Sequence, residues 1–411
     1  MHLRRVVVTG MGSVSPFGIG VEVLFESLLA QKSSVTIVPE LTNITGLRTR
    51  VAALVPAIDA KEIPRKYRRS MSNMSIYATL ASQEAISQGG VTERELHSGN
   101  TGVAIGSTVG SPVATHEFYK EFLPTKSLET TRATFFFQIM NHSCASNVAQ
   151  VFGISGRMLA PSAACSTGCQ AIGYGYEMIA YGKQEMMLCG GADEFHPLTA
   201  AVFDILNASS VKYNERPTEA PRPFDRDRDG VVCGEGSGIL LLESLDSAKS
   251  RNVPIVAEII GFATLSDPTN IADPNADSIE TCIRKALTEA PIEQNEIDYI
   301  NAHATGTIQG DIAESEAIRR IFGAKTPTSS LKGHLGHTMA ASGAIETIAT
   351  IIMMQRGILI PTLHLDSIDP LCDNIFHFRS RVEKPIRTIL KNNFALGGIN
   401  SCIILRRYED D

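Results

Sequence analysis

Short apolar runs, bounded by glycines and polar turns, recur twice in the same order along this chain. Residues 5–9, 102–105, 186–189 and 239–243 in the first part, and 255–263, 299–301 and 402–405 in the second, read as strands. Met158-Leu159-Ala160 reads as a further, buried strand. Two longer segments, 166–181 and 340–355, are crowded with Ala, Gly and Ile and lack a polar face, which predicts buried helices. Each helix follows a turn of small residues. Each half closes on a glycine-rich turn, 234–238 or 397–400, before its last strand. The alternation predicts the α/β class, with helices packed on mostly parallel sheets. A repeat this long is no solenoid; it predicts a duplicated domain with pseudo-twofold symmetry. The division falls near Arg251, giving halves 1–251 and 252–411 with a charged linker, 244–252.

Composition narrows the class. The 411 residues are 43% hydrophobic, enough for a large core, and the net charge of −7 argues against nucleic acid as the main partner. The longest apolar stretch, 344–365, is broken by Glu346 and Arg356, so no membrane span is expected. The N-terminus, Met1-His2-Leu3-Arg4-Arg5, runs straight into a Val-rich strand, which does not fit a signal peptide. Eight cysteines without paired spacing suggest a reducing, cytoplasmic setting. Two insertions interrupt the first half. Residues 115–143 are rich in aromatics, which either pack beneath a long loop or cover a pocket or partner. Residues 207–228 are polar and contain prolines.

Candidate chemistry sits on the turns. Cys165 lies where a strand passes into a helix, among Ser, Ala and Gly. Free N–H groups and the helix dipole at such a turn favour a thiolate, although a free cysteine is also often just a buried small side chain. His303 follows another strand, within an HATGT run that holds Thr305 and Thr307. Lys332 and His337 occupy a third turn. One cysteine and two histidines, each at a strand end among small residues, point to nucleophilic chemistry. Other motifs resolve to blander readings. Gly10-Met11-Gly12 lacks the third glycine of a dinucleotide site and reads as a plain turn. The run from Asp225 to Gly230 starts like a calcium loop but has Gly236 where the glutamate belongs, so it reads as an Asp/Arg loop satisfying its own charges. His334, three residues from His337, has no completing carboxylate or cysteine, and no metal is expected.

These motifs, in this order, resemble the β-ketoacyl-acyl carrier protein synthases of the type II class, in the thiolase superfamily. The Cys165 turn, the HATGT run, the Lys332–His337 spacing, PRPFDRDRDG at 221–230, GEGSG at 234–238 and NNFALGGIN at 392–400 cover nearly the whole chain. The resemblance implies a duplicated five-layered αβαβα thiolase fold and decarboxylative Claisen condensation of malonyl-carrier with an enzyme-bound acyl group. It implies that Cys165 is acylated and that His303 and His337 stabilise the enolate. Lys332 would orient the His303 region, with Glu346 as its partner. Thr305 and Thr307 would hold the pantetheine arm, and the N–H groups of Cys165 and Leu396 would meet the acyl oxyanion. Substrates would arrive on the phosphopantetheine of an acyl carrier protein, with no metal or diffusible cofactor. The basic cluster Arg65, Lys66, Arg68 and Arg69, helped by Lys212, would dock that acidic carrier, although such a cluster is usually only a solvated helix start. The enzyme would be a homodimer, or a heterodimer with a chain-length-factor-like subunit.

The sequence departs from the family pattern around the substrate. NSFGFGGTN becomes NNFALGGIN, so Phe394 remains while the gating phenylalanine is Leu396 and a glycine is Ala395. GHLLGAAG becomes GHTMAASG, and HATGTP ends in Ile308. These changes suggest a specialised polyketide system, such as those making aryl polyene pigments, over housekeeping fatty acid elongation. A coenzyme A thiolase would need a second catalytic cysteine near the C-terminus, and only Cys402, on a strand, stands there.

Overall fold

The computed structural model describes residues 3–409; Met1 and His2 of the N-terminal reading lie outside them. In chain order its main strands are β1 (Val6–Ser15), β2 (Thr101–Gly106), β3 (Met158–Leu159), β4 (Met186–Asp193), β5 (Gly236–Ser244), β6 (Ala257–Ser266), β7 (Tyr299–Asn301), β8 (Pro327–Ser329), β9 (Thr388–Ala395) and β10 (Ile399–Arg406). The helices that matter for the site are α1 (Asn73–Gln88), α2 (Pro112–Thr125), α3 (Thr134–Ile139), α4 (Thr167–Ala180), α5 (Pro197–Ile205), α6 (Ala276–Glu289), α7 (Ile308–Phe322) and α8 (Ser342–Arg356).

The strands join in one sheet path, β8-β7-β9-β10-β6-β1-β5-β4-β2-β3, with Phe376–His377 beyond β8. The order is the same read outward from the central β6–β1 junction. In each half one outer strand pairs parallel with the next, that strand pairs parallel with a third, and the two inner pairings are antiparallel. The duplication expected from the sequence is therefore present, and the sheet is mixed rather than mostly parallel. Apolar runs report burial of both faces, which either strand direction can supply. This is the thiolase-like α/β fold.

Helices α4 and α8 pack against each other at the centre. A Cβ on Gly168 would meet the Ala340 carbonyl oxygen at 2.6 Å, and one on Gly343 would meet the Cys169 backbone nitrogen at 2.5 Å. Helix α8 is buried from Ser342 to Met354, which explains the missing polar face in its sequence.

Local readings change in three places. Gly10 and Gly12 lie inside β1, not in a turn. A Cβ at either would sit about 2 Å from the carbonyl oxygen of Ala85 or Ala81 on α1 (2.1 and 1.9 Å), so the glycines admit a helix, not a reversal. The 158–160 strand shrinks to two residues at the sheet edge, with Met158 47% exposed. The charged linker is largely a short helix, Leu245–Arg251, capped by Ser244. Among the described residues no helix is long and apolar enough to cross a membrane.

The central helix contact yields a direct test. Gly343→Ala places a methyl against backbone that cannot move aside, so it should destabilise the protein by about 2 kcal/mol or more. A fall in the urea midpoint checks this; an unchanged midpoint would mean that the two helices are not held this closely.

Candidate active site

Cys165 is placed by strain. The preceding residue, Ala164, has φ 44°, a left-handed conformation that costs an alanine on the order of 1 kcal/mol. A short 3-10 turn, Ala164–Ser166, then feeds α4. Hydrogen bonds from the second half hold this turn. The Asn393 side-chain N–H donates to the Cys165 carbonyl at 3.1 Å, as does Ser342 Oγ at 3.3 Å. Ser166 Oγ donates to the carbonyls of Asn393 and Ile399, both at 3.0 Å.

His303 follows β7. Glu314 on α7 fixes its backbone by accepting the N–H groups of His303 (2.9 Å) and Ala304 (2.7 Å). His337 is fixed by the GEGSG approach: its N–H donates to the Val232 carbonyl at 2.7 Å, and its own carbonyl accepts from Gly234 at 2.8 Å.

These turns converge. His337 Nε2 lies 2.8 Å from Cys165 Sγ, the two imidazole rings are 5.3 Å apart at 83°, and the candidate ligand atoms of the cysteine and both histidines all lie within 4.8 Å. Asn393 Nδ2 approaches His303 Nδ1 at 3.4 Å, a contact that suits the tautomer with its proton on Nε2. His334 is not part of this group. It is buried between the carbonyls of Lys32 and Pro361.

Burial sets the protonation states. It pushes the Cys165 thiol up to about 12, against the opposing pull of Lys332 and the N–H groups of Cys165 and Leu396. The resting nucleophile is thus a thiol, where the turn alone suggested a thiolate: desolvation of the anion outweighs the local dipoles. Burial, helped by the positive charges of Lys332 and Lys391, also drives both histidines well below their ordinary range, so both imidazoles are neutral.

Lys332 Nζ lies 2.7 Å from Glu346 Oε1, with both side chains fully buried. A second lysine, Lys391, lies 2.8 Å from Glu346 Oε2. These are close ion pairs rather than aligned hydrogen bonds, since Lys332 Nζ and Glu346 Oε2 have no hydrogen-bond partner of good geometry.

The trio opens into a cavity of about 410 Å³. Thr305, Thr307, Ile308, Phe394 and Leu396 line it, together with the 267–275 loop. Thr305 and Thr307 place their hydroxyls 3.0 Å apart. Phe394 is buried, its ring 5.9 Å from that of His303, while Leu396 is 37% exposed at the cavity. The Asp/Arg loop does more than satisfy itself. Arg222 pairs with Asp225 inside the loop, but Arg228 reaches Asp311 and Asp369 and donates to the carbonyls of Thr307 and Ile308. The loop thereby clamps the segment that bears His303. Cys402 is buried, donates to Asn392 Oδ1 and does not line the cavity. The basic cluster forms a short helix, Arg65–Arg68. Arg65, Lys66 and Arg69 are exposed, and Arg68 donates to the Ala60 carbonyl.

Sequence reasoning missed Lys391, Asn393 and Glu314. A lysine inside the apolar run of β9 was a visible signal. The other two were not, because Asn and Glu at these positions look ordinary until the fold brings them together.

Family models agree with this geometry. The N-terminal domain of the β-ketoacyl synthases matches residues 3–248 and the C-terminal domain matches 256–366. The chain belongs to the β-ketoacyl synthase family. It is 33% identical to the 3-oxoacyl-[acyl-carrier-protein] synthase 1 of Haemophilus influenzae, over 99% of this chain and 100% of the relative. A β-ketoacyl synthase from Burkholderia phymatum superposes with a TM-score of 0.95 at 40% identity, covering 99% of this chain and 100% of that one. A type II polyketide ketosynthase, AntDE, solved with its acyl-carrier protein AntF and bound to the hexaketide, superposes at 0.90 with 30% identity over the same shares. The protein is a β-ketoacyl-acyl carrier protein synthase of the type II class, an enzyme of Claisen condensation with malonyl-carrier.

All eight cysteines are buried, but Cys165 lines the open cavity. Iodoacetamide should therefore label Cys165 first, at a rate that keeps rising with pH across about pH 6–9, because a thiol held this high has no plateau there. Peptide mass mapping over a pH series checks both points. First labelling at Cys169 or Cys402 would overturn the assignment.

Proposed function

We propose that this enzyme condenses malonyl-carrier with a rigid, unsaturated acyl chain in a specialised type II polyketide system, such as one making aryl polyene pigments. The reaction is supported above all by the convergence of Cys165, His303 and His337 at one end of one cavity. In acyl transfer, Cys165 sulfur attacks the carrier thioester. The N–H groups of Cys165 and Leu396, which already face the sulfur, receive the oxyanion. The thiol proton leaves to solvent in the open cavity, and the departing carrier thiolate takes one back from solvent. Malonyl-carrier then loses carbon dioxide, and the Nε2–H groups of His303 and His337 bind the enolate oxygen. The carbanion attacks the acyl-cysteine carbonyl, and the cysteine leaves as thiolate and takes a proton from solvent. Lys332, paired with Glu346, orients the His303 side of the site. Thr305 and Thr307 hold the pantetheine arm. This scheme needs no metal or diffusible cofactor.

The pathway reading rests on the gate. Leu396 borders the cavity at the surface rather than filling a repacked core, and Ile308 is 54% exposed at the same mouth. A shorter, ringless gate leaves more room for a chain that cannot bend. Housekeeping fatty acid elongation is the second reading, favoured by the likeness to the Haemophilus synthase.

An acidic acyl carrier protein docks at the exposed Arg65, Lys66 and Arg69 with Arg68 and Lys212, in the cytoplasm. The enzyme works as two halves, 1–251 and 252–411, and as a dimer with a second copy or with a chain-length-factor-like subunit. The support for a dimer is an apolar face. Phe135 is buried, but Tyr119, Leu123, Leu128, Phe136 and Phe137 of the aromatic insertion stand about half exposed or more, and Tyr119 and Leu123 share a groove with Leu198. A groove of about 760 Å³ lies between α2 and the start of α5.

Two experiments test this. His303→Ala and His337→Ala should each cut carbon dioxide release from malonyl-carrier by about a hundredfold or more while still accepting an acyl group at Cys165. Normal condensation by either variant would refute their role. Product mass spectrometry with competing saturated and polyunsaturated acyl-carriers tests the pathway. Leu396→Phe should selectively slow the unsaturated substrate; equal slowing of both, or a wild-type preference for saturated chains, would favour fatty acid elongation.

A further inference from the structure

Lys391 is buried in the middle of β9, where its ammonium costs several kcal/mol unless it is compensated. Glu346 compensates it on one side, at 2.8 Å, and the Asn392 carbonyl accepts from it at 2.6 Å. The Asn392 side chain continues to Glu314 at 3.1 Å, the carboxylate that holds the His303 backbone. Two lysines and two carboxylates thus form one buried cluster, and both lysines act on the two catalytic imidazoles. Neither the reaction scheme nor the family motifs use Lys391.

We propose that Lys391 is a positioning residue that couples decarboxylation to condensation: with Lys332 it grips both oxygens of Glu346 and keeps a second positive charge under His303 and His337. The proposal rests on the condensation reading above. The enolate formed on loss of carbon dioxide has two fates. Its carbon attacks the acyl-cysteine, giving β-ketoacyl-carrier and the cysteine thiolate, or it takes a proton, giving acetyl-carrier. A neutral imidazole N–H donates a hydrogen bond to the enolate oxygen but is a very weak acid. An imidazolium at the same place would hand its proton over and waste the carbanion.

The charges acting on the two rings are Lys332 and Lys391 on β9; Cys165 touches His337, Glu314 on α7 holds the His303 N–H, Glu346 on α8 pairs with both lysines, and Asp193 at the end of β4 acts on Cys165. Both lysines act against protonation of either ring, and burial acts in the same direction. Removing the Lys391 charge lets the imidazoles protonate at higher pH, since a nearby like charge shifts such a group by about one unit or more.

The test is the ratio of acetyl-carrier to β-ketoacyl-carrier formed by acylated enzyme from malonyl-carrier across a pH series. In Lys391→Met the acetyl product should appear at a pH about one unit higher than in wild type. Acylation of Cys165 should persist, and Lys391→Arg should restore the wild-type ratio. The same ratio in wild type and Lys391→Met at every pH, or Lys391→Arg as wasteful as Lys391→Met, would overturn the proposal. Should Lys391→Met not fold, Lys391→Gln, which keeps a polar group in place but removes the charge, gives the same readout: an acetyl product that appears at higher pH than in wild type supports the proposal, and an unchanged ratio defeats it. A wild-type enzyme that forms no β-ketoacyl product would instead sink the condensation reading itself.

Discussion

Everything at this site depends on the close contact of α4 with α8 across the pseudo-twofold junction. The nucleophile belongs to one half and both histidines to the other. The halves meet where only glycine allows backbone to touch backbone, at Gly168 against Ala340 and at Gly343 against Cys169. The helices begin at the two turns, so their contact sets the distance between the turns. The 2.8 Å approach of His337 to Cys165 is a consequence of that packing as much as of the two side chains. Hydrogen bonds from Asn393 and Ser342 to the Cys165 carbonyl lock the same junction from the side of the second half.

Burial then decides the chemistry. In an open site Cys165 would ionise more easily and the histidines would carry charge near neutral pH. Here desolvation disfavours every charged form unless a partner is built in. The result is a neutral thiol and two neutral rings that have proton-donating N–H groups but little acidity. Burial pushes Lys332 down as well, but Glu346 and Glu314 beside it oppose that shift. Catalytic groups stay neutral until the reaction creates charge, and the fixed charges are held one layer below.

Sequence reading captured what is local and missed what is brought together by folding. The Cys165, His303 and Lys332–His337 turns were legible because strand, small residues and helix follow one another in the chain. The duplication was legible because both halves repeat one order of apolar runs. Strand direction was not, since a strand buried on both faces has the same pattern in either pairing. Gly10 and Gly12 carried the right residue for the wrong reason: the helix that presses on them, α1, lies some sixty residues away in the chain. The thiolate expectation considered the turn and its dipole, but burial of Cys165 depends on walls contributed by both halves. The clamp of Arg228 on the His303 loop likewise joins segments about eighty residues apart.

The duplication also explains why only one of the two central turns carries a nucleophile. Ala164 before Cys165 has φ 44°, and Met339 before Ala340 has φ 51°. Each residue precedes the middle position of a 3-10 turn that leads into a buried helix. Ala340 is therefore the counterpart of Cys165. The N–H of Cys165 faces the open cavity and its own sulfur, whereas the N–H of Ala340 donates to Asp193 Oδ2 at 2.8 Å. An internal carboxylate fills the anion site on one side, while substrate must fill it on the other. Asp193 is buried and also accepts the Thr108 N–H at 3.0 Å, so burial raises its pKa to about 6 without freeing it. The same strained turn is thus used twice, once to bind a transient oxyanion and once to fix the packing that the first use requires.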